Sequence, residues 1–253
     1  MFKKSFFLIK DSFGYFLACI GIDVLFFIAL GFFTAPFSAK MRLYLVQIAG
    51  FFSQNMQELG RGSFLTALFN PETMSLWKLI FWQFLLFLAV MYLVYVVLQS
   101  VVWNLSLKLA KKNISYLVYV KKFALVNIFW FVLFILYGLL DLIGDLNQAL
   151  NPDVRFNFFS VFASFFVLVL GYFVVISYST LKVKKSFVIG WKHNNFLFSR
   201  YFVVILYFFI LNFVLARLAE INYILAVSVG LIFFLPAVAF ARVWMAANIQ
   251  RVE

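Results

Sequence analysis

The sequence predicts an all-α membrane protein, a polytopic bundle of six transmembrane helices, and three observations carry that expectation. Hydrophobic residues fill 66% of the 253 positions and charged residues only 12%, with a mean hydropathy of +1.04. A soluble domain carries about a quarter charged residues because its surface must face water. Apolar runs of about 20 residues, each enough to cross ~30 Å of hydrocarbon, recur along the chain and leave room for a single membrane domain only. The charges lie between these runs, so the net charge of +12 reads as topology rather than as a nucleic-acid footprint.

The first span covers about 13–35. Its apolar stretch is longer than a signal-peptide core, and residues 34–39 offer no A-x-A cleavage site, so it is expected to stay as an anchor. Residues 36–78 are the one long connection, expected outside the membrane. Within it, apolar residues at 41, 45, 48, 49, 52 and 56 form a helical stripe, which predicts a helix lying on the outer surface and packed over the bundle. The remaining spans fall at about 79–103, 123–143, 156–181, 196–216 and 221–244. All six are expected to be helical, because lipid satisfies no exposed backbone group and the segments lack the alternation of a barrel. Pro236 is placed to kink the last span, and Gly21, Gly138, Gly171 and Ser164 are placed to allow close helix contacts.

Basic residues orient the spans. One side gathers Lys3, Lys4, Lys10, Lys108, Lys111, Lys112, Lys121, Lys122, Lys182, Lys184, Lys185, Lys192, Arg200, Arg242 and Arg251, and the other only Lys40, Arg42, Arg61, Lys78, Arg155 and Arg217. The richer side is expected to be cytoplasmic, with both termini there and the protein in the cell membrane. Trp77, Trp82, Trp103 and Trp191 fall near the proposed interfaces, as aromatic belts require. The sequons at Asn104 and Asn113 then face the cytoplasm and should carry no glycan.

Three basic segments look alike. Each has a lysine pair (Lys3-Lys4, Lys111-Lys112, Lys184-Lys185), a serine (Ser5, Ser115, Ser186), an apolar run and a closing lysine (Lys10, Lys121, Lys192). Each reads as a short inner-surface helix, with serine as N-cap and lysines reaching anionic headgroups. Asn70-Pro71-Glu72 and Asn151-Pro152-Asp153 mark outer helix starts, and Asn222 stands alone at the third. Ser115 precedes Asn151, and Ser186 precedes Asn222, by the same 36 positions. Three tandem units of a surface helix and two spans are therefore expected.

That plan is similar to the three helix pairs of mitochondrial carriers, but their P-x-[DE]-x-x-[KR] signature fails here, since Pro36 is followed by Ser38 and Met41. The serine-led basic helix before paired spans resembles several uncharacterised prokaryotic six-helix membrane families. The resemblance implies a fold and no activity.

Chemistry-bearing residues are sparse. Asp23 lies near the middle of the first span, where a carboxyl is costly and must face other helices. Tyr92, Tyr95, Tyr207 and Asn212 are its expected partners, and a proton-coupling or cation-binding role competes with a purely structural one. Asp141 and Asp145 share a helix face near an outer end and are weak cation candidates; a solvated helix end is the plainer reading. The glycine-aspartate spacing there superficially suggests an intramembrane aspartyl protease, but Leu142 stands where glycine is required. With one cysteine, Cys19, and one histidine, His193, no zinc site, disulfide or Cys/His nucleophile can be built, and no P-loop or G-x-S-x-G occurs. No cofactor and no enzymatic activity are expected. Two functions remain: a small transporter or permease-type subunit, joined by partner membrane subunits or an ATPase, and a scaffold organising lipid or partner helices. A polar cavity reaching Asp23 would favour the first, and a closed apolar bundle the second.

Overall fold

A computed structural model describes residues 2–55, 70–150 and 158–253. The described residues are almost entirely helical and include no strand. Its helices are α1 (Phe2–Asp11), α2 (Phe13–Asn55), α3 (Pro71–Leu109), α4 (Tyr116–Leu150), α5 (Phe158–Thr180), α6 (Val183–Lys192), α7 (Asn194–Ile221), α8 (Tyr223–Val229) and α9 (Leu235–Ile249). Between α8 and α9, Gly230–Phe234 form a π turn. Among the described residues five spans are long and apolar enough to cross a membrane, and a sixth forms if α5 and α6, bent by 115°, count as one broken span. The helical membrane bundle expected from hydropathy is thus present.

Several helices run past the expected span ends, and the first and last spans differ most in form. The first span does not stop at Ala35: α2 runs unbroken to Asn55, so the separate surface helix expected over 41–56 is its continuation. Pro36 removes one backbone donor, yet neighbouring hydroxyls engage the carbonyls around it, Thr34 Oγ1 donating to Leu30 O at 2.6 Å and Ser38 Oγ to Ala35 O at 2.9 Å. A helix of 43 residues is about 65 Å long, roughly twice the hydrocarbon thickness. The last span is continuous from Tyr223 to Ile249 because the π turn lies just before Pro236. The wider turn keeps the proline ring clear of the preceding carbonyls that an α-turn would press against it.

The helix-start marks have mixed outcomes. Asn222 caps α8, its side chain accepting from Leu225 N at 3.1 Å, and Pro71 opens α3 as expected. Asn151-Pro152-Asp153 lie outside the described residues. Of the three surface helices, α1 and α6 are separate, whereas Ser115 leads directly into α4. Ser186 is not an N-cap: it lies inside α6, buried, with its hydroxyl donating to Val183 O at 2.6 Å.

The chain divides into two compact units, residues 25–95 and residues 1–24 with 96–253. In the first, Phe26 meets Tyr95 edge to face at 5.9 Å, and Ile48 and Thr73 are buried. The second unit holds most of the core. There α4 packs on α5 through a polar and aromatic seam: Trp130 Nε1 donates to Ser177 Oγ at 2.8 Å, Tyr178 OH to Asn127 Oδ1 at 2.6 Å, and Tyr119 OH to Tyr178 O at 3.0 Å. Each of these side chains is buried, and these bonds across the helices satisfy polar atoms that lipid could not.

Helix α6 folds back on α5 after Leu181, which takes a left-handed φ of 56°. Gly190 permits the contact. A Cβ there would stand 2.7 Å from Phe173 Cε1 and 3.0 Å from Ile176 Cδ1, while its carbonyl accepts from Tyr172 OH at 2.9 Å. Gly190→Ala is therefore expected to destabilise the fold by about 1–3 kcal/mol, read as an earlier thermal unfolding midpoint in detergent. Gly171 acts alike, leaving space for the Tyr201 hydroxyl that donates to Leu168 O at 3.0 Å. Gly21 and Gly138 meet no described neighbour within 4 Å, so Gly21→Ala is the matched control.

Candidate functional site: a buried ion pair and a lysine clamp

Asp23 is buried at 1% exposure, as a carboxyl within a span must be. Its partners are not the expected tyrosines or Asn212. Arg242 Nη2 lies 2.8 Å from Asp23 Oδ1, and Gln99 Nε2 donates to the same oxygen at 3.2 Å. The three side chains come from α2, α3 and α9. Arg242 was placed among the basic residues of the lysine-rich side because it falls close to the end of the predicted span. In the folded chain it stands seven residues before the end of α9, about 10 Å along the helix axis. Asp23 thus has a countercharge within the chain.

Local packing fixes the pair. Cys19, one turn before Asp23 on the same face of α2, is wholly buried against Val102 and Ala239, with Phe16, Ile22 and Leu105 around it. Below it Ile9, Leu109 and Val243 form a second cluster that ties α1 to α3 and α9. Small residues on α9, Ala239 and Ala246, both fully buried, let the helices approach closely enough for a long side chain to bridge them. The pair is incompletely satisfied: Asp23 Oδ2 and Arg242 Nη1 are buried and make no hydrogen bond with the described residues.

A second charged cluster lies at the lysine-rich end. Helix α3 closes with Lys111 in the left-handed conformation (φ 70°), its N–H bonded to Lys108 O at 2.9 Å and that of Lys112 to Leu107 O at 2.8 Å. This turn aims Lys112 at the chain end, where its ammonium lies 2.5 Å from Glu253 Oε2 and donates to Ser179 O at 3.1 Å. Lys185 of α6 meets Glu253 Oε1 at 2.6 Å. One carboxylate joins α3, α6 and the segment after α9. Burial pushes the Glu253 carboxyl up, but the hydrogen bonds and charges of Lys112 and Lys185 outweigh it and hold it below the usual glutamate value. A depressed folded value means the clamp stabilises fully above the unfolded glutamate pKa of about 4.3 and fades as pH falls through the lower folded one. Glu253→Gln is expected to remove that acid-side loss, seen as a flatter dependence of melting temperature on pH below about 4.5.

Asp141 and Asp145 both lie in α4, Asp141 half-buried. Among the described residues no three His, Cys, Asp or Glu side chains gather as metal ligands. His193 sits at the junction of α6 and α7, where its backbone carbonyl accepts from Leu197 N at 2.9 Å. Asn104 is buried, its side chain donating to Ile114 O at 3.1 Å, a position closed to glycosylation.

The chain matches no known protein family, no curated protein and no solved structure. The site's own geometry is accordingly the ground for a functional reading.

Proposed function

We propose that this chain is a non-enzymatic membrane scaffold that presents helix faces to lipid and to partner helices. The carrying observation is that Asp23, the one acid deep in a span, is spent inside the chain on Arg242 and Gln99 under a packed apolar cluster. A coupling acid needs water or substrate at its carboxyl during the cycle, whereas an acid locked across three helices sets their register. The outward face agrees with this reading. No residue in the most apolar stretch of α7 is fully buried by the rest of the chain, which leaves much of its surface for lipid or a neighbouring helix. The lysine-rich end, proposed to be cytoplasmic with both termini, carries α1 and α6 as basic surface helices suited to anionic headgroups.

Transport is the second reading, favoured by the unsatisfied Asp23 Oδ2, which could accept a proton or a cation, and Arg242 Nη1, which could donate to an anion. Proteoliposomes holding a pH-sensitive dye discriminate the two. The scaffold is expected to dissipate an imposed proton gradient no faster than protein-free vesicles. Dissipation that Asp23→Asn abolishes in a folded protein overturns it in favour of transport.

A further inference from the structure

An apolar recess in the second unit opens sideways between α7 and the last span. It encloses about 410 Å³, within the range of small-ligand sites. Val203, Tyr207 and Phe208 form one wall, and Pro236, Ala237 and Phe240 the other. The π turn contributes Phe233 at its far end and Trp244 closes the end nearer the lysines. A recess of this composition inside a span faces lipid tails rather than water.

Charge at one end decides the occupant. Arg200, Val203, Val204 and Tyr207 fall at i, i+3, i+4 and i+7, so Arg200 continues the groove-lining face of α7 one turn toward the lysine-rich end. Arg251 stands seven residues beyond Trp244, in the turn that follows α9. Both arginines therefore belong to the lysine-rich end of the recess. Arg200 is held in place by its own helix, stacked 3.4 Å over the Phe196 ring and donating to Phe196 O at 2.5 Å. Arginine binds phosphate oxygens with particular geometric fit, so an anionic headgroup suits that end of the groove.

We propose that this groove is a binding site for one anionic phospholipid, with an acyl chain between α7 and α8–α9 and its phosphate at Arg200 and Arg251. The proposal deepens the scaffold reading and rests on it only for the purpose the lipid serves. A bound lipid there would act as a fitted spacer between the two last spans, whose mutual packing is otherwise interrupted by the recess.

The test uses the full chain reconstituted in vesicles of equal palmitoyl-oleoyl phosphatidylglycerol and phosphatidylcholine, extracted gently and weighed by native mass spectrometry. Wild type is expected to retain phosphatidylglycerol over phosphatidylcholine by about tenfold, as two arginines at one phosphate imply. The pair Arg200→Gln and Arg251→Gln should keep a bound lipid but lose the preference, and lysine at both positions should restore most of it. Ala237→Trp fills the groove and should lose the lipid itself; Val203→Trp does the same from a site 54% exposed, where a larger side chain cannot disturb the core. Inorganic phosphate should not displace the lipid. Equal retention of both lipids by wild type, an unchanged preference in the glutamine pair, retention by both tryptophan variants, or displacement by phosphate each overturns the site. Such a failure leaves the gradient assay of the scaffold reading untouched, so the two fail separately.

Discussion

Arg242→Met is expected to lower the stability of the folded protein by about 3–5 kcal/mol, because it leaves the Asp23 carboxylate buried without its countercharge. The same substitution in an Asp23→Leu background should cost far less. With both charges gone, α2, α3 and α9 meet through apolar side chains of similar size, and replacing a buried pair in this way is often neutral. Unfolding in mild detergent, followed by circular dichroism or by accessibility of the buried Cys19 thiol to a maleimide, reads both effects. Equal loss in the single and double variants would mean that Arg242 matters through its packing, not its charge. Gln99→Leu should fall between, since Gln99 supplies one neutral hydrogen bond to an oxygen that Arg242 already holds.

The second large effect falls on the α4–α5 seam. Trp130 is among the largest wholly buried side chains, ringed by Phe129 and Phe187 and bonded to Ser177. Trp130→Ala is expected to cost about 3 kcal/mol, the low end of the range for soluble cores. The reason for the low end is the solvent. A tryptophan leaving a membrane protein's core enters lipid, not water, so the loss is packing and one hydrogen bond with little hydrophobic transfer. Trp191→Ala, at 82% exposure, is the control and should leave stability within about 0.5 kcal/mol. A comparable loss at both positions would refute the seam as the main source of cohesion between α4 and α5.

Hydropathy made the bundle legible because lipid imposes one rule on every span. The boundaries near Pro36 were less legible. A proline after an apolar run reads as a stop in water, but in a membrane protein neighbouring hydroxyls, here Thr34 and Ser38, let the helix continue. Asp23 was visible as a costly residue, yet its partner was not. Arg242 lies close to a predicted span end, and a single arginine there is indistinguishable in sequence from one reaching for water. The signal that could have found it is its setting: alanines at 237, 239, 241, 246 and 247 crowd the helix around it with small side chains, which lets neighbouring helices close over a long cation. The Glu253 clamp could not be read at all, because it joins residues 141 and 68 positions apart through a turn whose left-handed residue is a lysine.

The π turn before Pro236 sets a rotational phase. Each residue of an α-helix advances the side chains by about 100°, and a π turn acts as one residue too many in that count. Arg242 faces Asp23 only with that extra residue in place. Deleting one position from Gly230–Phe234 would return the last span to regular winding and swing everything after it by roughly a quarter turn. The arginine would leave the acid, and the groove wall would turn away from α7. A short irregularity thus keeps two distant surfaces of one helix in step, so the site and the lateral recess can be lost together without altering a residue of either.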